Sequence, residues 1–198
     1  GHVLSSMPLS VATGIGGTGA RSLRVAMNLN NNGQAITLSK DYAPVGYGDL
    51  DKARAAFQGK APTLAMTFPG GTHDTWLRYW LKAARLDANA LKIITIPPAQ
   101  MVANMKVEAM DGFCVGEPWG AQAVAQGIGF THINTQDIWK HHPEKALVVT
   151  EKFVACRDFW ARHLGFARTP AGYVQPSPWL AISPSSFLWV ERVPLLDR

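Results

Sequence analysis

A three-layer α/β unit built on a mostly parallel sheet is the fold class this sequence predicts, and three observations predict it. Short apolar runs alternate with stretches of helical period between residues 61 and 136. The links between them are short and marked by Pro and Gly. The resulting order is β-α-β-α-β-α-β, which covers a parallel sheet with helices on its faces.

Thr63-Leu64-Ala65-Met66-Thr67-Phe68 reads as a short buried strand, broken by Pro69-Gly70-Gly71-Thr72. His73 to Leu86 carries helical spacing: Trp76, Trp80, Ala83 and Ala84 fall on one side, Arg78, Lys82 and Arg85 mostly on another. Asp87-Ala88-Asn89 marks a turn. Lys92-Ile93-Ile94-Thr95-Ile96 is β-branched and stops at Pro97-Pro98, so it is a strand. Ala99 to Ala109 repeats Met101, Val102, Met105 and Ala109 at helical intervals. Asp111 to Val115 is a strand, and Glu117-Pro118 opens a helix with Pro in its first turn. Gly127 and Gly129 close that helix, and Phe130 to Asn134 is the last strand.

Outside this stretch the pattern is weaker. Ser22 to Met27 reads as a strand, Asn28 to Gly33 as an Asn-rich loop, Gln34 to Leu38 as a helix start, and Leu50 to Phe57 as a helix. Residues 137–155 hold the turn Lys140-His141-His142-Pro143 and the apolar run Ala146 to Val149. Residues 157–198 show no sustained period, and Pro170, Pro176, Pro178 and Pro184 would each break an element. No fold is assigned to that tail.

Composition narrows the function classes. The 198 residues leave room for one or two domains, and 47% hydrophobic against 17% charged residues is a globular balance. The net charge of +5 is scattered, with no Lys/Arg run suited to nucleic acid or a polybasic membrane patch. No stretch approaches the ~18 apolar residues of a membrane span. Two cysteines make neither a disulfide framework nor a zinc pattern, and Cys114, within Gly112-Phe113-Cys114-Val115, reads as a buried inert thiol. The chain opens on Gly1 without a signal-like segment and reads as a piece of a longer protein.

Four places carry candidate chemistry. In Phe68-Pro69-Gly70-Gly71-Thr72-His73-Asp74 a strand runs through a glycine pair into a helix start. Unpaired N–H groups and the helix dipole suit a small anion there, with Thr72 and His73 as extra donors. The plainer reading makes Thr72 an N-cap and His73 a first-turn residue. The Gly-Lys-Ser/Thr ending of a P-loop is absent. Val115-Gly116-Glu117-Pro118-Trp119 is a second strand-to-helix turn at the same sheet edge, where open α/β sheets bind ligands. Glu117 by itself reads more readily as a dipole partner than as a catalytic acid. Asn30-Asn31-Asn32-Gly33-Gln34 offers amide donors or is simply a solvated turn. In His141-His142-Pro143-Glu144-Lys145 the adjacent histidines point apart, so shared metal ligation is disfavoured, and Lys145 matters only if it faces a cleft. Neither a nucleophile elbow nor spaced paired carboxylates are present, which argues against an enzyme.

Several stretches together resemble the nitrate-binding proteins of nitrate/nitrite/bicarbonate ABC transporters: Asn32 to Ser39, Thr67 to Arg78, Pro97 to Met105, Asp111 to Trp119, Thr135 to Trp139 and His142 to Lys145. The resemblance covers residues 1–155. It implies a periplasmic-binding-protein-like fold of type II, with two three-layer α/β lobes, a hinge, and the ligand in the cleft. On that reading residues 1–60 belong to an incomplete first lobe, 61–131 to the second, 132–156 return to the first, and 157–198 depart from the pattern. By matched motif, Gln34, His73 and Lys145 would contact the oxyanion, while Gly71, Thr72, Gly116 and Glu117 would line the cleft with backbone groups. Nitrate is planar, singly charged and only accepts hydrogen bonds. Three charge-assisted bonds of roughly 1.5–3 kcal/mol each would hold it at about micromolar affinity.

The resemblance implies a solute-binding component for nitrate or nitrite serving ABC permease subunits of the inner membrane. It would be periplasmic or anchored to that membrane's outer face, with no cofactor, no metal, no catalysis and no nucleic acid. A bicarbonate receptor of the same family is a rival, disfavoured by a lysine at 145. A cytosolic nitrate sensor acting on a regulatory partner is another. An enzyme on this fold, as in pyrimidine-precursor synthesis, would need a reactive His or Cys in the cleft.

Overall fold

The computed structural model describes residues 1–15, 17, 19–155, 166–168 and 174–176. Its strands form two main sheets. In the larger, β4 (Thr63–Met66) runs parallel to β5 (Lys92–Thr95) and β6 (Gly112–Gly116), while β3 (Gln34–Ser39) lies antiparallel between β6 and β7 (Gly129–Asn134). The strand order is therefore β5-β4-β6-β3-β7. The smaller sheet has β8 (Pro143–Thr150) between β1 (His2–Leu4) and β2 (Leu23–Asn31), antiparallel to both.

The helices make the outer layers. α1 is Met7–Ala12, α2 Leu50–Phe57, α3 Thr72–Ala83, α4 Met101–Lys106, α5 Trp119–Ala125, α6 Thr135–Ile138 and α7 Glu151–Ala155. Alternation along β6 fixes the layering. Cys114 joins Ile36, Leu38, Phe57, Leu64, Leu77 and Trp80 in one buried cluster, under α2 and α3. Phe113 and Val115 join Ala65, Met101, Met105 and Ala123 in the other, under α4 and α5. The first cluster is built on edge-to-face rings: Tyr42 to Phe57 at 5.0 Å, Phe57 to Trp80 at 5.8 Å, Trp80 to His132 at 5.3 Å. Such pairs contribute roughly 0.5–1.5 kcal/mol each beyond the area they bury. Cys114 is fully buried, and burial pushes its thiol up, which makes it inert.

Two expectations from the sequence need correction. Gln34 to Leu38 is a strand and not a helix start. It is central, so its two faces are both covered, and the usual alternation of buried and exposed residues is lost. β-Branched Ile36 and Thr37 favour this outcome. Asn28 to Gly33 is not wholly a loop: β2 continues to Asn31 against Ala146, Lys145 and Pro143, with register shifts along the way. Only Asn32 and Gly33 turn the chain, both left-handed at φ 59° and 86°. These two residues carry it from the smaller sheet into the larger.

β3 and β7 also alter the expected partition. Residues 34–39 and 129–134 belong to the sheet of β4 to β6, so the larger unit draws on chain from both sides of 61–131. The sheet is mostly parallel, as expected, with β3 the one reversed strand. Helix and strand bounds between 63 and 134 otherwise shift by a few residues, and a 3-10 turn at Pro98–Gln100 precedes α4. Of the tail, β9 (Phe166–Arg168) pairs antiparallel with β10 (Val174–Pro176). The remaining tail positions singled out above, Pro170, Pro178 and Pro184, lie outside the described residues, as does Cys156.

Candidate functional site

The reversed direction of β3 decides where Gln34 goes. β4 and β6 end at the same sheet edge, and an antiparallel strand begins there, so Gln34 sits beside Gly116. α3 starts at that edge after β4. Gly70 turns the chain at φ 74° and stands where a Cβ would meet Ile15 Cγ2 at 2.6 Å. Its N–H donates to Asp74 at 2.8 Å, and Asp74 takes Arg78 Nε at 2.7 Å, which locks the first turn of α3. β8 supplies the third side. Glu144 and Lys145 lie at its start, and the Glu144 carbonyl accepts the Ser5 N–H at 3.0 Å.

Four side chains meet here. Gln34 Nε2 donates to Thr72 Oγ1 at 3.0 Å and to Glu144 Oε2. Lys145 Nζ donates to Glu144 Oε1. Glu144 is 2% exposed and Lys145 26%, so the pair runs from the interior to the surface of the edge. Gly116 lies directly against this pair, since a Cβ there would touch Glu144 Oε1 at 3.5 Å and Lys145 Nζ at 3.8 Å. Burial raises the Glu144 carboxyl above the ordinary range, and Lys145 pulls it back.

His73 is 3% exposed and neutral, pushed down to about 3 by burial and then by the Lys145 charge. Its Nδ1 meets Thr67 Oγ1, and its Nε2 has no hydrogen-bond partner. In the tautomer where Thr67 donates to Nδ1, the proton sits on Nε2 and points at no protein acceptor. Gln34 Oε1 is also buried and unpartnered, as are the hydroxyls of Ser5 and Ser6. Behind this edge Thr135 Oγ1 donates to the Gln34 carbonyl at 3.0 Å and meets His142 Nε2 at 2.7 Å. The His142 ring packs 4.7 Å from Trp76.

Among the residues singled out in the sequence, Gln34, Thr72, Gly116 and Lys145 come together by contact, and His73 stands within reach of the Lys145 charge. Gly71 and Glu117 have other duties. The Gly71 N–H goes to the Phe68 carbonyl, and that of Glu117 goes to the Gly33 carbonyl. The Glu117 carboxylate accepts the Ala121 N–H at 2.9 Å, as a dipole partner for α5. His141 is exposed and His142 buried, so the two histidines do point apart. No group of His, Cys, Asp and Glu suited to a metal occurs among the described residues. Glu144 was missed in the sequence. Its signal was there, because a period of two places it in phase with Ala146 and Val148.

A family model described as NMT1-like matches residues 1–176. The chain belongs to the NMT1-like family. Within it, the chain is 46% identical over 149 residues to the nitrate/nitrite binding protein NrtA of Synechocystis sp., covering 73% of this chain and 33% of that protein. It is 37% identical over 171 residues to the nitrate import ATP-binding protein NrtC of the same organism, covering 84% of this chain and 25% of that one. The crystal structure of the periplasmic nitrate-binding protein NrtA from Synechocystis superposes with a TM-score of 0.72 at 42% identity, over 78% of this chain and 41% of that chain. The fold of this NMT1-like chain is thus the α/β fold of the periplasmic binding proteins. The chain spans about a third of the length of the curated nitrate/nitrite binding proteins it matches. Among the described residues no helix is long and apolar enough to cross a membrane.

Proposed function

We propose that this chain captures nitrate or nitrite as part of the solute-binding component of an ABC transporter, handing the anion to permease subunits. The anion is held at the edge formed by Gln34, Thr72, His73, Gly116 and Lys145, with Gly71 and Glu117 shaping its wall. One observation carries the reading: His73 keeps a buried ring nitrogen without a protein partner, on a ring that feels the charge of Lys145. A neutral imidazole N–H and an ammonium donate without needing a donor in return, which matches an anion that only accepts. Similarity to substrate-binding proteins supports binding and not turnover as the role of this site. Similarity to NrtA and NrtC supports a place in nitrate import, on the periplasmic side or anchored to the outer face of the inner membrane.

Titration calorimetry with potassium nitrate tests this. Lys145→Ala is expected to weaken binding by about 10–150-fold, the equivalent of one hydrogen bond to a charged group. Unchanged affinity in both Lys145→Ala and His73→Ala rejects the reading. Nitrate is expected to displace bicarbonate from the same site, and the reverse preference would assign the chain to bicarbonate.

A further inference from the structure

Glu144 has no part in the anion capture derived above, yet it is the most deeply placed charge at the site. Its carboxylate is 2% exposed and accepts from both Gln34 and Lys145. Burying a carboxylate beside a site for anions is electrostatically unfavourable in itself. The charge count shows what it achieves. Lys145 contributes +1 and Glu144 −1, while His73 is neutral and Gln34 and Thr72 carry no charge. The site presents donors with no net positive charge.

We propose that Glu144 sets the valence of the anion the site accepts. By cancelling Lys145 it lets a singly charged oxyanion bind through hydrogen bonds and turns away a doubly charged one such as sulfate. This inference rests on the anion-binding reading above. The repulsion from Glu144 grows with the charge of the guest, and no surplus positive charge repays the loss of hydration that a divalent anion suffers on entry. The same contacts make Glu144 a positioning residue, since it orients the two donors that flank it.

The surroundings of Glu144 support this assignment. Lys145 faces it from β8, and Gln34 from β3. From β6 come Gly116, whose backbone lies against the Glu144–Lys145 pair, and the Cys114 thiol, which feels the charge of both Glu144 and Asp74. From α3 come neutral His73 and Asp74, the latter committed to Arg78 and the Gly70 N–H. Buried His142, held neutral, precedes it on the chain. Burial raises the Glu144 carboxyl, so acidification removes its charge earlier than it would for an exposed glutamate.

Calorimetry on the full chain with potassium nitrate and potassium sulfate, at matched ionic strength, tests the inference. Wild type is expected to favour nitrate. Glu144→Gln removes the charge and keeps the shape, and is expected to shift the affinity ratio toward sulfate by tenfold or more. Lowering the pH from 7.5 to 5 is expected to move the wild-type ratio the same way and to leave the Glu144→Gln ratio flat. A ratio unmoved by both changes overturns the valence role. Loss of both anions together in a folded Glu144→Gln protein also overturns it, and leaves Glu144 as a positioning residue alone. If the variant does not fold, the wild-type pH series decides. Failure of the underlying reading looks different: wild type then binds neither anion, or Lys145→Ala binds nitrate as well as wild type.

Discussion

His73 and His132 are both buried, both neutral, and both have one ring nitrogen bonded and the other without a partner. Their surroundings separate them. His132 Nδ1 donates to the Gly46 carbonyl at 2.8 Å, and its ring lies between Trp80 at 5.3 Å and Phe130 at 6.3 Å. Its unpartnered Nε2 is a lone pair inside an aromatic stack, where the ring serves as packing. His73 meets the Thr67 hydroxyl and feels the Lys145 charge, and it follows Thr72, which accepts from the Gln34 amide, at the end of a sheet. An orphaned polar atom therefore does not define a site. It becomes informative where other donors and a compensating charge gather around the same space.

The sharpest way to break this comparison is to truncate each histidine. His132→Ala is expected to cost about 2–5 kcal/mol of stability, as other large-to-small changes in a core do, and to leave nitrate affinity within twofold. His73→Ala is expected to weaken nitrate binding by about tenfold or more. Chemical denaturation and calorimetry on the same samples check both. If His132→Ala also loses the anion while remaining folded, the distinction fails.

A second test uses protons. Each histidine has its folded-state pKa lowered by burial, so the fold favours the neutral ring. The unfolded chain takes up a proton first, near the ordinary value of about 6.5. Stability is therefore full above that pH and falls as the pH drops toward the folded-state value, about 3 for His73. Each histidine adds a slope approaching about 1.4 kcal/mol per pH unit within its window. Denaturation midpoints between pH 7 and 4 should fall less steeply in His73→Gln than in wild type.

The smallest expected effect concerns Glu117. Its carboxylate caps α5 through Ala121, so Glu117→Ala should cost about 1 kcal/mol of stability and change nitrate affinity less than twofold. A large loss of affinity would make Glu117 a direct contact of the anion and not only part of the wall.

Much of the larger unit was legible because its elements are short and bounded. β4, α3, β5, β6 and β7 each end at a Pro, Gly or Asp/Asn cluster, and Trp76 and Trp80 set the period of α3. β3 was not legible for a physical reason: Gln34 and Thr37 are buried with Ile36 and Leu38, so polarity stopped reporting exposure. The asparagines of β2 misled in the opposite direction, because Asn30 and Asn31 lie on an exposed stretch of strand that tolerates turn-forming residues. At the site, glycine turns and single donors could be read locally. The contact of Gln34 with Glu144 could not, because the two lie far apart in sequence on strands of two separate sheets.

The two-residue crossing at Asn32 and Gly33 has a consequence for how this chain can change. Gln34 follows it directly, and Lys145 stands across from Asn30 on the other side. Adding or deleting one residue there would rotate every side chain of β3 to the opposite face, exchanging Ile36 and Leu38 for their neighbours and turning the amide away. The left-handed turn restricts which residues fit at 32 and 33, and the flip restricts the length, so insertions and deletions are better tolerated elsewhere in the molecule.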